Sequence, residues 1–216
     1  MRNTEILGIV VEFGESYDFE ARHARQVAKL ALQLFDQLQP LHGMGNTERI
    51  WLRAAAMLHD IGKAQDPENH HKLARDIIFA ASELPFRREE RAIIGLVARY
   101  HRGSLPCDDH RHFRDLDADA RLYVRELAAL LRLADGLDKG HSQYVESVQC
   151  SVRRRRVLVR VVSTNTLNAD SILGKAGLFE EVFRRRIAVH VSVHRRRLGA
   201  ALDFSAPFAY VDADRS

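Results

Sequence analysis

An imidazole and a carboxylate stand side by side at the end of an apolar, helix-forming segment. His59 and Asp60 follow the run Ala54-Ala55-Ala56-Met57-Leu58, and Gly62 comes shortly afterwards as a signal for the end of the helix. Burial of an unpaired carboxylate is costly, so such a group normally acquires a counter-charge, a hydrogen-bond donor or a metal ion. The pair therefore marks a candidate site whose chemistry depends on the partners of Asp60.

Further imidazoles and carboxylates fall on the apolar faces or at the ends of other predicted helices. A single buried histidine is more often hydrogen-bonded in a core than bound to a metal. Here, however, several helices each contribute such a group, and facing helices of a bundle are a common way to build a metal site. Mixed nitrogen and oxygen donors suit a divalent transition metal or magnesium. The candidate ligands are His23, His59, Asp60, His70 or His71, His101 and Asp135.

The segments that position these groups have the periodicity of a helical bundle. Apolar residues recur at three- and four-residue steps from about Glu20 onward. Asn46 or Thr47 is predicted to cap the second helix, and the third is predicted to end before Pro85. The predicted helices cover approximately residues 21–38, 46–59, 70–84, 88–101 and 117–137.

The pattern changes after His141. Apolar and polar residues alternate over 148–152 and 157–161, which predicts a β-hairpin, and again over 187–193, which predicts a third strand. Asn168 or Asp170 is predicted to cap a helix that continues through Phe183. We therefore expect a mainly α fold, in which a helical domain (residues 1–145) carries a small β-β-α-β unit (residues 146–216).

Composition narrows the classes of protein that fit. A chain of 216 residues with 46% hydrophobic content suits one well-buried domain with a modest appendage. The apolar runs are too short to span a bilayer, the N-terminus does not resemble a signal peptide, and Cys107 and Cys150 lack metal-site spacing. These features predict a cytoplasmic protein without a membrane partner.

Arginines are concentrated in the last third of the chain, although the net charge is only +4. Such clusters indicate either an acidic partner or a solvated basic face. Because aromatic residues are not interleaved with them, nucleic acid is not the expected partner. The clusters are Arg153–Arg156, Arg184–Arg186 and Arg195–Arg197.

Several sequence blocks resemble a known family. His23, His59-Asp60 and Asp135 resemble the H…HD…D signature of the HD-domain metal-dependent phosphohydrolases. The similarity is closer to the HD domain in the C-terminal half of the exopolyphosphatase/guanosine pentaphosphate phosphatase (Ppx/GppA) family, and it extends over roughly residues 15–193. The blocks are LHDIGK at 58–63, HHK at 70–72, YHR at 100–102, LADGLDKGH at 133–141 and LFEEVF at 178–183.

The resemblance implies a site for one or two divalent ions, with Mn, Mg, Fe, Co or Ni as candidates and Zn also compatible. The first ion would be held by His23, His59, Asp60 and Asp135, and Asp60 would bridge to a second ion held by His70 and His101. Divalent ions at such a site activate water and stabilise the charge that develops on a phosphoryl group. Whether His70 or His71 supplies the ligand is open, because Leu73 replaces a histidine of the family's block.

Basic residues near these ligands are candidates for binding substrate. Lys63 would bind a phosphate oxygen or protonate a leaving group, so Asp60 and Lys63 are the catalytic candidates. Each of the other lysines and arginines is individually more often a solvated surface charge. The predicted anion-binding residues are Lys63, Lys72, Arg75, Arg102, Lys139 and His141, with Asp138 and His141 also able to support the ligands.

The favoured function is a metal-dependent phosphohydrolase acting on a nucleotide or polyphosphate-like anion. In the family an actin-like ATPase-type domain carries the chemistry, and nothing in the 216 residues resembles that domain. The alternative is therefore a non-catalytic module that binds polyphosphate or an alarmone, or that regulates a partner. A helical dimerisation unit with purely structural polar groups is a third possibility. The expected partner is a phosphorylated small molecule or polyphosphate, and a homodimer is compatible with the sequence.

Overall fold

The protein is described from a computed structural model that covers residues 2–17 and 19–194. A helical bundle forms most of the described chain and a three-stranded sheet follows it, so the predicted mainly α fold class is confirmed. The elements are α1 (Asn3–Glu15), α2 (Ala21–His42), α3 (Asn46–Leu58), α4 (His70–Ala80), α5 (Arg88–Arg99), α6 (Arg111–Arg114), α7 (Ala118–Leu137), β1 (Val145–Val152), β2 (Arg156–Ser163), α8 (Ala169–Leu173), α9 (Gly177–Phe183) and β3 (Arg186–Val193).

The core of the bundle lies among α2, α3, α5 and α7. Leu30 and Leu34 of α2, Leu52 of α3, Ile94 of α5 and Leu127 of α7 are completely buried. Their helices contact one another along the apolar faces that the sequence periodicity predicts. The bundle therefore brings the ends of these helices close together, and those ends carry the candidate ligands.

Several features of the helices differ from the sequence-based prediction, among them the short α6, which was not predicted. Helix α1 was not predicted, yet Val10 and Phe13 anchor it in the core. The expected caps of α3 were wrong, because Gly45 is the N-cap and its N–H donates to the Glu48 carboxylate at 2.8 Å. Helix α4 ends at Ala80 rather than at Leu84, and a turn occupies the residues before Pro85.

The C-terminal unit has the strand order β1-β2-β3. Strand β1 pairs antiparallel with β2, and β3 runs parallel to β2 after crossing through the helical segment. That segment is two short helices, α8 and α9, rather than the single helix predicted. Asn168 is the cap of α8, since its side chain accepts from the N–H of Asp170 at 2.9 Å.

The first strand of the sheet is hydrogen-bonded to helix α2 of the bundle. The side-chain oxygens of Gln33 and Gln37 on α2 accept from the N–H groups of Val148 and Cys150, at 2.9 and 2.8 Å. The predicted boundary at residue 145 stays a prediction. None of the described helices is long and apolar enough to cross a membrane.

Candidate metal centre

Five helix ends bring the predicted ligands to one point. His23 lies in the first turn of α2, His59 and Asp60 follow α3, and His70 begins α4. His101 follows the end of α5, and Asp135 lies in the last turn of α7. All four histidines and Asp60 are buried, and the side chain of Asp135 is 14% exposed.

A close approach at Gly62 places α4 against the turn that carries His59 and Asp60. A methyl group at position 62 would lie 2.8 Å from the carbonyl oxygen of His70 and 2.9 Å from Cβ of Leu73. Both distances are shorter than a carbon atom tolerates. Glycine is therefore required at this position for space, and it fixes how near His70 comes to Asp60.

Each of the four histidines is anchored through its Nδ1 atom. The acceptor is a backbone carbonyl for three of them and a carboxylate for His23. Because a carbonyl oxygen only accepts, Nδ1 carries the proton and Nε2 presents its lone pair, as is typical of metal-binding histidines. The pairs are His23 with Asp138 Oδ2 (2.9 Å), His59 with Ala56 O (2.8 Å), His70 with Pro67 O (2.7 Å) and His101 with Ala98 O (2.7 Å).

The Nε2 atoms converge on two carboxylate oxygens. Asp60 Oδ1 lies 3.2 Å from Nε2 of His70, 3.5 Å from that of His101 and 3.6 Å from that of His59. Asp135 Oδ1 lies 3.5 Å from Nε2 of His23 and 4.0 Å from Nε2 of His59. Asp60 therefore occupies the middle of the cluster, where a carboxylate can contact two ions.

Three atoms of this cluster are buried and find no hydrogen-bond partner within the described chain: Nε2 of His23, Nε2 of His59 and Oδ1 of Asp60. A buried polar atom without a partner costs about 1–3 kcal/mol, so three together need an explanation. The ligand atoms of His23, His59 and Asp135 lie within 4.8 Å of one another, as do those of His59, Asp60 and His101. This donor set fits a divalent ion.

The protonation states also suit ligation. Burial alone would raise the pKa of Asp60, but the imidazoles of His59 and His70 outweigh it and hold that pKa well below its usual value. Burial opposes ionisation of Asp135 as well, yet the nearby imidazoles of His23 and His101 hold its pKa well below the usual value. Burial lowers the pKa of His101 to about 3, which leaves its Nε2 free to donate a lone pair.

His23 is the exception among the histidines. Burial would lower its pKa, but the neighbouring carboxylates of Asp135 and Asp138 outweigh that effect and raise the pKa to about 9. Without a cation at the centre, the His23 imidazolium itself neutralises these carboxylates. A divalent ion would replace this proton as the counter-charge.

A cleft of about 410 Å³ opens beside the cluster, and four of the six predicted anion-binding residues line it. These are Lys63, Arg102, Lys139 and His141. The other two lie outside its lining. Lys72 donates to Asn69 Oδ1 at 3.0 Å, and Arg75 makes two hydrogen bonds to the neighbouring Asp76 carboxylate, at 2.8 and 2.9 Å.

The structure separates His70 from His71. His70 faces Asp60, whereas His71 packs against Gly103, where a methyl group would lie 3.5 Å from its Nε2. Burial, with the positive charge of Arg99 nearby, lowers the pKa of His71 to about 4. His70 is therefore the residue of this pair that the fold brings to the cluster.

Two residues at the site were missed by sequence reasoning. Lys175, between α8 and α9, donates to Asp135 Oδ2 at 2.7 Å and to the carbonyl oxygen of His101 at 3.2 Å. No spacing rule could have found it, because it lies 40 residues from Asp135 in the C-terminal unit. Glu20 accepts from His141 Nδ1 at 2.7 Å and from Lys63 Nζ at 3.4 Å. Its position one turn before His23 was the available signal.

His141 reaches the site in an unusual backbone conformation. Its φ is 52°, in the left-handed region that non-glycine residues rarely adopt, and its ring stacks on His23 with the centroids 3.7 Å apart. Asp138 holds this turn, since its carbonyl accepts from His141 N–H at 2.8 Å and its carboxylate from Gln143 N–H at 2.8 Å. Asp138 therefore orients both His23 and His141.

Comparison with known families shows to which family the chain is related. The sequence model described as Ppx/GppA phosphatase, domain III, matches residues 8–182, which is most of the chain. The chain belongs to the Ppx/GppA phosphatase family. The matched range contains every residue of the cluster as well as Lys175, and it ends within α9. The family is one of phosphatases, so the match supports a hydrolase of the phosphatase type.

Proposed function

We propose that this chain is a metal-dependent phosphohydrolase with an HD-type centre. One ion would be held by His23, His59, Asp60 and Asp135, and Asp60 would also contact a second ion held by His70 and His101. The observation that carries the proposal is the set of buried, unpartnered ligand atoms that face one another beside a basic cleft.

Divalent ions bound here would supply an activated water and neutralise charge on the phosphoryl group. The chain's own residues perform the remaining tasks. Arg102 and Lys139 line the cleft and can bind phosphate oxygens, and Lys175 adds a third cation at its wall. Lys63 Nζ lies 3.6 Å from Asp60 Oδ2, so it stands where it can donate a proton to the leaving-group oxygen.

The proposed substrate is a phosphorylated anion, either a nucleotide or the end of a polyphosphate chain. Support comes from membership in the Ppx/GppA family and from the cations that line the cleft. Asp60 and Asp135 also line it, and an anion would be repelled by both carboxylates unless a cation lay between them and the phosphate.

The test is metal-dependent release of phosphate. We expect protein stripped with a chelator to be inactive, and Mn²⁺, Mg²⁺, Co²⁺, Ni²⁺ or Fe²⁺ to restore hydrolysis of at least one of a panel of nucleotides, cyclic nucleotides and polyphosphates. Asp60→Asn should lower kcat by about 10³-fold or more, because it removes the shared ligand. The exposed Asp109→Asn is the matched control and should be fully active. Absence of release with every metal, or equal activity of both variants, would refute the proposal.

A further inference from the structure

A groove of about 250 Å³ lies between helix α1 and the neighbouring helices α2 and α3. Its wall is largely apolar. Leu7 and Val11 of α1 and Leu32 of α2 are half-buried, and Met57 of α3 is buried. None of the residues that line this groove lines the cleft at the metal centre. The groove is therefore a separate feature of the bundle, and part of its apolar surface is open to water.

The ionisable residues that line the groove are all cationic: Arg25, Lys29 and Arg53. Arg25 lies 3.4 Å from the carboxylate of Glu15. Lys29 Nζ donates to the backbone carbonyl of Glu146 at 2.7 Å. Among the described residues that line the groove there is no carboxylate, so the positive charge is not neutralised from within.

Arg53 is the cation whose charge is left unpaired. It is half-buried, yet its guanidinium makes no hydrogen bond or ion pair with any residue that the structure describes. The nearby Arg49 is instead bound to the Asp36 carboxylate at 2.6 and 2.8 Å. Burial and the positive charge of Arg49 lower the pKa of Arg53, so its charged form is disfavoured where it stands. An anion in the groove would relieve this cost.

An apolar wall beside an unpaired cation fits an amphipathic anion. An alkyl chain would cover the half-buried side chains of Leu7, Val11 and Leu32, while its head group paired with Arg53. A protein helix is about 10–12 Å across with its side chains, which is too wide for a space of about 250 Å³. Among the described lining residues none is aromatic, so a nucleotide base would find no ring to stack on.

The charge of the groove favours a carboxylate as the head group. A guanidinium binds the two oxygens of one carboxylate through two parallel hydrogen bonds. A phosphate monoester carries a charge of about −2 and would need a second free cation. Lys29 and Arg25 already have partners in the chain, which leaves Arg53 to balance a single negative charge.

We infer that the groove between α1, α2 and α3 binds a single-chain fatty carboxylate of medium length. The carboxylate accepts hydrogen bonds from the Arg53 guanidinium, and the alkyl chain lies against the apolar wall. Because binding buries apolar surface, the affinity rises with each added methylene until the groove is full. The site does not include the metal centre, and its existence does not depend on the proposed hydrolysis.

The test is binding of dodecanoate, measured by calorimetry below its micelle concentration and in the presence of a chelator. Decanoate and octanoate are compared with it, and we expect the affinity to fall about fourfold for each methylene removed. Arg53→Gln should bind dodecanoate about 10–100-fold more weakly, because a hydrogen-bonded charge pair is lost, and Arg53→Lys should be intermediate. The exposed Arg88→Gln on α5 is the matched control and should bind like the wild type.

Several outcomes would overturn this inference. Absence of dodecanoate binding by the wild type, or equal affinity of Arg53→Gln, would leave no role for the groove. Equal binding of dodecyltrimethylammonium, which has the same chain and the opposite charge, would refute the carboxylate. Sedimentation with phosphatidylglycerol vesicles in the absence of dodecanoate binding would assign the surface to a membrane instead.

A second variant keeps the test decisive if Arg53→Gln fails to fold in thermal unfolding. Leu7→Glu sets a carboxylate of the chain itself at the half-buried wall of the groove, where it competes for Arg53. We expect this variant to bind dodecanoate at least tenfold more weakly, and wild-type affinity would contradict the site. Because the chelator removes metal, these results are independent of the proposed hydrolysis.

Discussion

Three of the clustered histidines are oriented by the same local hydrogen bond. His59, His70 and His101 each direct Nδ1 to the carbonyl oxygen of the residue three positions earlier, at 2.7–2.8 Å. Because the donor and the acceptor are only three residues apart, this hydrogen bond forms together with the helix end. The orientation of each ring is therefore set by the local sequence. The bundle then has only to bring together Nε2 atoms whose directions are already set.

His70 and His71 provide a matched pair for testing this arrangement. Their side chains are both buried, but only His70 faces Asp60. We expect His70→Asn to lose the second ion and most hydrolysis, whereas His71→Asn keeps the metal content of the wild type. Metal stoichiometry measured by elemental analysis, with thermal unfolding as a check on folding, separates the two. Loss of metal from His71→Asn alone would reverse the assignment.

Lys175 is expected to orient Asp135 toward the centre. Its ammonium holds Oδ2 at 2.7 Å, so Oδ1 is the oxygen that is left facing His23. Removal of a residue that orients a metal ligand typically lowers metal affinity by about 10–100-fold. We therefore expect Lys175→Met to weaken Mn²⁺ binding about tenfold in calorimetry, with Lys175→Arg intermediate. Tighter binding by Lys175→Met would show that repulsion by the positive charge outweighs the orienting bond.

At the scale of elements, the packing of α4 on the end of α3 depends on Gly62. A Cβ there would meet backbone and a neighbouring Cβ at 2.8 and 2.9 Å, and neither can move without shifting α4. We expect Gly62→Ala to lower the free energy of unfolding by about 1–3 kcal/mol and to weaken metal binding, because His70 moves with the helix. Chemical denaturation and metal titration measure the two effects.

Gly8 is the control for this substitution. It lies within α1, and a methyl group there would meet nothing within 4 Å. Because alanine is favoured over glycine inside a helix, Gly8→Ala should raise stability by about 0.5–1 kcal/mol. Equal behaviour of Gly8→Ala and Gly62→Ala would contradict the close approach as the reason for glycine at 62.

Sequence periodicity predicted the elements that carry a strong apolar face, and it failed for elements that depend on tertiary contacts. Helices α2, α5 and α7 and all three strands were found close to their observed bounds. Helix α1 was missed, and α8 and α9 were merged, because short or weakly patterned helices depend on contacts that spacing does not reveal. The same holds at the site. The histidines stood out by type and position, whereas Lys175 meets Asp135 only through the packing of α8 on α7.

For the whole molecule, the small sheet links two surfaces of different chemistry. Its β1 end adjoins the loop of His141 at the cleft, and its other end carries the arginine runs Arg153–Arg156 and Arg184–Arg186. The third run, Arg195–Arg197, lies outside the described residues. The C-terminal unit also contributes Lys175 to the cleft. Truncation of this unit would therefore disturb both surfaces, and single substitutions are the better way to separate them.

The stability of the molecule is also expected to depend on pH through a group outside the metal centre. Glu126 on α7 is buried, and burial raises its pKa from 4.5 to about 7. Between pH 4.5 and about 7, the folded state therefore keeps a proton on Glu126 that the unfolded state has already released. This contribution to stability accordingly falls as the pH rises from about 4.5 to 7, and the charged carboxylate is a constant cost above pH 7.

Glu126→Gln removes this titration while keeping a similar shape. We expect the variant to be more stable than the wild type by roughly 1 kcal/mol at pH 8, or about 2–4 °C in Tm, and the difference to shrink toward pH 5. Thermal unfolding of both proteins in a chelator across this range measures the effect without interference from the metal. Glu181→Gln is a poor control because Glu181 pairs with Arg125, so the exposed Glu89→Gln on α5 is preferred. A pH-independent gap between Glu126→Gln and the wild type would show that Glu126 is ionised in the folded protein throughout, with a cation compensating its charge.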